Sequence, residues 1–337
     1  MESVEVTVIM GACAPERRGF AERRAAATQA MLLSAARLAA SPDPLREAIA
    51  LVPWSRSTGG VVVEFPADTR ATEVIGAFAA ESERMSLARI VCVVDAAHFF
   101  SDLLRDDYIA ARGGPPLMAR AELLVTQMEY ASQIVWVNWE ALSTADLSAL
   151  MALANHIAPS ARLRLQQPGP EPEVEATPFP SHQDRAGWIK LLNGEYDTYM
   201  TDTRVSAFRY THERPLQPGR LHEVLDDRIE PGEFGTLVRS AGFCRLATRP
   251  QAVASWDHVG RVISFEPVGG DPLTGGAELL AIGQDLALIG LDLDRDAISA
   301  ALDDAALTDA EFAAGPETWL TFPDPFPEWL TADESLD

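Results

Sequence analysis

Between residues 4 and 165, short β-branched runs alternate with longer amphipathic stretches, and that alternation predicts an α/β domain with helices covering a parallel sheet. Two further observations complete the fold class. Residues 166–182 carry five prolines and three glutamates with little apolar content, which reads as a stiff, solvated linker. Beyond it, shorter alternating runs mixed with two helical stretches predict a smaller α+β domain.

Each element has its own signal. The strands expected of the first domain are 4–10, 60–65, 89–94, 133–137 and 162–165, all compact apolar runs. Helices are expected near 16–40, 44–52, 70–84, 97–105, 117–130 and 144–157. The last begins with Ser143-Thr144-Ala145-Asp146, a capped start. In the second domain, 204–211, 236–247, 261–266 and 285–290 read as strands, and 218–228 and 294–303 as helices, forming a modest sandwich. The tail 315–329 holds four prolines and two tryptophans, the pattern of an extended arm that docks aromatics on a core. The expected organisation is a domain over 1–165, a linker and connecting segment over 166–203, and a second domain over 204–330.

Composition narrows the function classes. A formal charge of −23, from 27 basic and 50 acidic side chains, argues against a nucleic-acid groove or an anionic membrane surface. A basic partner fits better. No run approaches the roughly 20 apolar residues of a spanning helix, and the chain enters a strand without a basic-then-apolar leader, so a cytoplasmic location is expected. Cys13, Cys92 and Cys244 are widely spaced and without a C-x-x-C pair, which fits a reducing compartment.

The first strand runs through Val4, Val6, Val8, Ile9 and Met10 into Gly11, as a phosphate-binding loop begins. The rest of such a loop is missing. Ala12-Cys13-Ala14-Pro15-Glu16-Arg17-Arg18 contains no second glycine, no lysine to reach β/γ oxygens and no hydroxyl for Mg²⁺. Glu64 and Asp95 stand at the C-terminal ends of expected parallel strands, where open α/β sheets place ligands. His212, His222 and Cys244 form a candidate three-ligand zinc group in the second domain. Arg209, Arg214, Arg220, Arg239, Arg245 and Arg249 are concentrated in the same domain, as an anion-binding face or as partners for its many acids.

Three ordered blocks carry a resemblance: Arg214-Pro215-Leu216-Gln217-Pro218-Gly219-Arg220-Leu221-His222, then Val238-Arg239-Ser240-Ala241-Gly242-Phe243-Cys244-Arg245-Leu246-Ala247-Thr248-Arg249-Pro250, then Ile289-Gly290-Leu291-Asp292-Leu293-Asp294. Together they resemble the C-terminal domain of the CobW-like family. The tail Phe322-Pro323-Asp324-Pro325-Phe326-Pro327-Glu328-Trp329 is similar to the ending of many bacterial members. Val93-Val94-Asp95-Ala96-Ala97-His98-Phe99 and Leu123 to Ala131 sit where the family's GTPase domain has similar segments.

The resemblance implies a GTPase with Mg²⁺ that serves as a metallochaperone or in zinc or cobalt homeostasis. Three motifs of that activity are altered here. Of the Walker A loop, expected at 11–18, Gly11 remains. The guanine-reading Asn-Lys-x-Asp becomes Asn138-Trp139-Glu140-Ala141, which keeps the asparagine alone. The Cys-x-Cys-Cys metal motif belongs between the first helix and Glu64, and residues 19–60 contain no cysteine. Glu64-Phe65-Pro66-Ala67 likewise keeps the acid of a Glu-x-x-Gly without the glycine.

The reading that follows is a degenerate parallel-sheet domain of P-loop type joined to a CobW C-terminal-like domain, acting as a pseudo-GTPase in a binding or regulatory role. Gly11, Glu64, Asp95 and Asn138 are its vestigial nucleotide residues. Its partner would be a protein: an active family member, a metalloprotein client or the translation machinery. Two alternatives stand beside it. One is a metal-inserting GTPase in which Arg17 or Arg18 replaces the lysine, against which Pro15 removes an amide donor. The other is a nucleotide-free metal carrier.

Overall fold

The computed structural model describes residues 3–55, 57, 59–110, 117–167, 179, 185–268 and 283–329. They divide into two compact units, Met1–Gly187 with Asp197–Asp202, and Trp188–Tyr196 with Thr203–Asp337. No helix among the described residues is long and apolar enough to cross a membrane.

The first unit alternates strand and helix: β1 (Val4–Met10), α1 (Ala14–Thr28), β2 (Met31–Leu33), α2 (Ala35–Leu38), α3 (Pro44–Leu51), β3 (Val61–Glu64), α4 (Ala71–Ala80) and β4 (Met85–Asp95). It continues through α5 (Phe99–Leu103), the hairpin β5 (Tyr108–Ala110) and β6 (Leu117–Ala119), α6 (Arg120–Glu129), β7 (Gln133–Val137), α7 (Thr144–Ile157) and β8 (Arg162–Leu165). Six strands pair in parallel in the order β2-β3-β1-β4-β7-β8. Because β3 and β4 flank β1 on opposite sides, the ends of β3, β1 and β4 meet at a topological switch point. β1 from Val6 onward and the whole of β7 are buried on both faces, as a covered parallel sheet requires.

The expected helix over 16–40 is interrupted. Gln29 adopts a left-handed conformation (φ 55°) that ends α1, and Met31–Leu33 then pairs with Val61–Val63 as an edge strand. An alanine-rich run favours helix locally, but sheet pairing decides the outcome. The α7 start is as read: Ser143 Oγ accepts the Asp146 amide. Of the expected linker, 168–178 and 180–184 lie outside the described residues. Phe179 donates its amide to Leu87 O at 2.7 Å and packs against the core of the first unit. Residues 197–202 also belong to that unit, because Tyr199 and Met200 both donate their amides to the buried Asn155 Oδ1, at 2.8 and 2.9 Å.

Next along the chain comes α8 (Gly187–Leu192), then β9 (Val205–His212), α9 (Pro218–Val224), which runs into a π-helical turn (Leu225–Ile229), and β10 (Thr236–Cys244). There follow β11 (Ala254–Val259), β12 (Val262–Pro267), β13 (Gln284–Leu291), α10 (Arg295–Ala305), α11 (Asp309–Ala314) and α12 (Pro316–Trp319). The five strands form one antiparallel sheet, β12-β11-β10-β13-β9. Leu221 and Val224 of α9 and Ile298 and Leu302 of α10 share a core with Tyr210, Trp256, Leu286 and Leu288 of the sheet. The arrangement is one antiparallel sheet carrying helices, the α+β layering that the sequence predicts.

The tail begins with the helical turn α12 rather than as an extended arm, and its aromatics do dock. Phe326 and Trp329 pack against the second unit's core, and Trp329 donates to Phe265 O at 2.8 Å. Arg249 holds this strap: Nε bonds Asp324 at 3.0 Å, Nη2 bonds the carbonyls of Phe326 and Pro327, and the guanidinium lies 4.4 Å over the Trp329 ring. Arg249→Ala is expected to cost about 2 kcal/mol and to red-shift Trp329 emission as the strap detaches. Comparison with Trp329→Phe isolates that signal.

His258 gives the second unit a pH dependence. Its side chain is buried, Nδ1 has no hydrogen-bond partner, and burial, reinforced by the neighbouring Arg239 guanidinium, pushes its pKa down to about 4. The unfolded chain, titrating near 6.5, binds the extra proton between those values. Stability is therefore complete above about pH 6.5 and falls as the pH drops towards 4, by an order of 3 kcal/mol. A melting-temperature series across that window is expected to slope steeply, and His258→Gln to flatten it.

Candidate functional site at the strand ends of the first unit

Between β1 and α1 lie only Gly11, Ala12 and Cys13. Gly11 has φ +142°, and a Cβ there would stand 2.1 Å from the Val93 carbonyl oxygen. Its glycine is thus demanded by the approach of β4, whatever else it once served. Pro15 sits in the first turn of α1, so that turn has one amide donor fewer for an anion.

One turn into α1, Arg17 folds back over this loop. Its Nη1 donates to Gly11 O, and its Nε bonds Glu64 Oε1 at 3.2 Å; the two side chains are 4% and 1% exposed. The second oxygen, Glu64 Oε2, accepts the Ala35 amide at 3.0 Å. Burial pulls the Arg17 pKa down and the Glu64 carboxylate pushes it back up, so the pair forms a closed unit of opposite charges. Glu64 is spoken for on both oxygens.

On the other side of β1, Asp95 is also satisfied. Its Oδ1 accepts the Ala97 amide at 2.9 Å and its Oδ2 accepts Asn138 Nδ2 at 2.8 Å. Asn138 takes a left-handed conformation (φ 55°) at the end of β7 and makes no cap bond, so its side chain ties β7 to β4. The structure thus brings Asp95 and Asn138 into contact and places Gly11 and Glu64 around Arg17.

A grouping that the sequence reading did not make lies beside Asp95. Ligand atoms of Cys13, Glu16 and Asp95 all fall within 4.8 Å of one another, and Asp102 Oδ2 is 3.9 Å from Cys13 Sγ. Burial first, then the charges of Asp102, Glu16 and Asp95, push the Cys13 thiol up to about 11. The Cys13-x-x-Glu16 spacing, one helical turn apart, was the available signal.

The candidate zinc group of the second unit does not assemble. His212 Nδ1 accepts the Arg214 amide at 3.1 Å, His222 Nδ1 lies 3.2 Å from Asp226 Oδ2, and Cys244 is fully buried in the apolar core, which raises its thiol pKa. The three occupy separate surroundings because the register of β9 and β10 sends their side chains to different neighbours. The arginines of that unit are largely paired: Arg209 with Asp285, Arg214 with Asp309, Arg220 with Glu311, Arg239 with Asp257 and Arg249 with Asp324. Arg245 donates to Pro250 O. Of the two expectations for these arginines, pairing with the unit's acids is the one the structure has.

Comparison with known proteins adds the family. Residues 205–306, from the start of β9 to the end of α10, match the family described as the cobalamin synthesis protein cobW C-terminal domain. Those residues form a CobW C-terminal domain. A relative, "Zinc-regulated GTPase metalloprotein activator 1" of Dictyostelium discoideum, is 24% identical over 312 residues, covering 80% of this chain. The chain spans 62% of that relative's length. Among solved structures, the Zn(II)-bound YjiA GTPase of E. coli gives a TM-score of 0.36 at 13% identity, over 91% of this chain and all of that one. A Zn(II)-bound triple mutant of YjiA gives 0.39 at 13% identity with the same coverage.

The residues present do not fit a magnesium nucleotide. A triphosphate needs successive free amides, a cation for the β/γ oxygens and a hydroxyl or carboxylate for the metal. Here the loop is shortened, the nearby cation is bonded to Glu64 and Gly11, and both carboxylates are engaged.

Proposed function

We propose that this CobW-like chain is a pseudo-GTPase, a binding or regulatory module of zinc or cobalt homeostasis that works without nucleotide. The observation that carries the proposal is the buried Arg17–Glu64 pair closed over Gly11, which fills the strand end where a phosphate would need open donors. Its activity would then be to present two folded units to a protein. A metalloprotein client fits the description of the Dictyostelium relative as a metalloprotein activator, and the charge of −23 suits a client with a basic surface. Phosphate release from GTP, measured with Mg²⁺ and with or without Zn²⁺, is expected to stay at the uncatalysed background; turnover above it that Glu64→Gln abolishes would reject the proposal.

One observation favours a second reading, a nucleotide-free metal carrier: Cys13, Glu16 and Asp95 offer a thiol and two carboxylates at a single point. Metal binding would have to displace the proton of a thiol held near 11, so affinity should rise with pH. Zinc titration against a chelating dye separates the readings: stoichiometric binding lost in Cys13→Ser supports the carrier, and weak binding indifferent to that change rejects it.

A further inference from the structure

On the other side of β1 from Asn138, the first unit contains a cavity of about 380 Å³, within the range of small-molecule sites. Ala36 of α2, Ala39 at its C-cap, and Pro66, after β3, give it an apolar wall, while Arg17 and Arg120 supply two guanidinium groups. Both are held in place. Arg17 is fixed by Glu64 and Gly11, which leaves Nη2 as its donor without a partner among the described residues. Arg120 Nε bonds Asp107 Oδ2 at 2.9 Å, and its two Nη groups bond no described residue.

Asp107 accepts Arg105 through both oxygens, at 2.6 and 3.1 Å, and takes only the Nε of Arg120, while Arg105 also pairs with Asp102 at 3.9 Å. Asp68, the acid in the cavity wall, already interacts with another group. The turn that carries it is braced from beneath, because the buried Gln127 Nε2 donates to Ala67 O at 3.1 Å and Thr69 O at 3.0 Å. The wall is therefore preorganised before any ligand enters.

We propose that this cavity binds a small molecule with an apolar body and one oxyanion group, carboxylate or phosphate, received by the free Nη donors of Arg120 and Arg17. Guanidinium groups present planar, paired donors that match either oxyanion, and the alanine and proline wall takes the apolar part. The site stands apart from Asp95 and Asn138 but shares Arg17 with the closure over Gly11, so it rests on the reading in which no nucleotide phosphate uses that arginine.

Calorimetric titration of the full chain with sodium hexanoate, with inorganic phosphate and with hexylamine tests it. Saturable one-to-one binding of hexanoate or phosphate, weakened at least tenfold by Arg120→Ala and by Ala36→Phe, is expected, with hexylamine inert. Ala36 is exposed and Arg120 only half-buried, so both variants should keep the parent's melting temperature. Tighter hexanoate assigns a carboxylate head, and tighter phosphate a phosphate head. No saturable binding of either anion, equal binding in the folded variants, or binding of hexylamine would overturn the assignment.

Discussion

Arg17→Met is expected to destabilise the first unit by about 3–5 kcal/mol, because it strands the Glu64 carboxylate, 1% exposed, without its counter-charge. Glu64 would retain the Ala35 amide, which cannot neutralise it. Denaturant unfolding of the first unit's transition reads the loss directly. The double variant Arg17→Met with Glu64→Gln removes both charges and should recover most of it, since an uncharged pair of similar volume leaves no isolated ion behind. A strong coupling energy between the two changes identifies Arg17 as the partner of Glu64 rather than a free phosphate ligand. Additive effects would mean that the pair contributes nothing as a pair.

Gly11→Ala should be comparably severe, upward of about 3 kcal/mol or a failure to fold. The added methyl would lie 2.1 Å from a backbone oxygen of β4, and the φ of +142° is one that residues with a side chain rarely adopt. Relief requires β1 and β4 to separate where Ile9 and Met10 pair with Val91 and Cys92. Gly76, within α4, meets nothing within 4 Å, so Gly76→Ala is expected to stabilise by about 0.5–1 kcal/mol. The contrast separates a glycine required by the sheet from one that is merely tolerated. A harmless Gly11→Ala would contradict the β1–β4 approach on which the site's geometry rests.

How far the fold could be read from the sequence follows from what holds each element. The strands 4–10, 133–137 and 162–165 and the helix 144–157 carry their own signals, apolar runs or a serine cap, and the structure has them at those residues. β2 could not be read, because Met31-Leu32-Leu33 lies in a helix-favouring run and becomes a strand only by pairing with β3. β11 was hidden by Ser255, Asp257 and His258, polar residues that break the apolar pattern of a strand; Asp257 is served from the neighbouring strand by Arg239. In the site, Gly11, Glu64, Asp95 and Asn138 were legible as strand-end residues. Their partners were not: Arg17 and Glu64 lie 47 positions apart, and Asp95 and Asn138 lie 43 apart, joined only by the order of the sheet.

We propose that the first unit keeps the strand ends of a nucleotide site without the means to hold a triphosphate. Calorimetric titration with GTP and GDP in Mg²⁺, with and without Zn²⁺, tests it most directly. No heat of binding at high nucleotide concentration is the result predicted by the Arg17–Glu64 closure. Micromolar binding, weakened when Asn138→Ala removes the one retained base-reading residue, would contradict it and restore the chain to the GTPases.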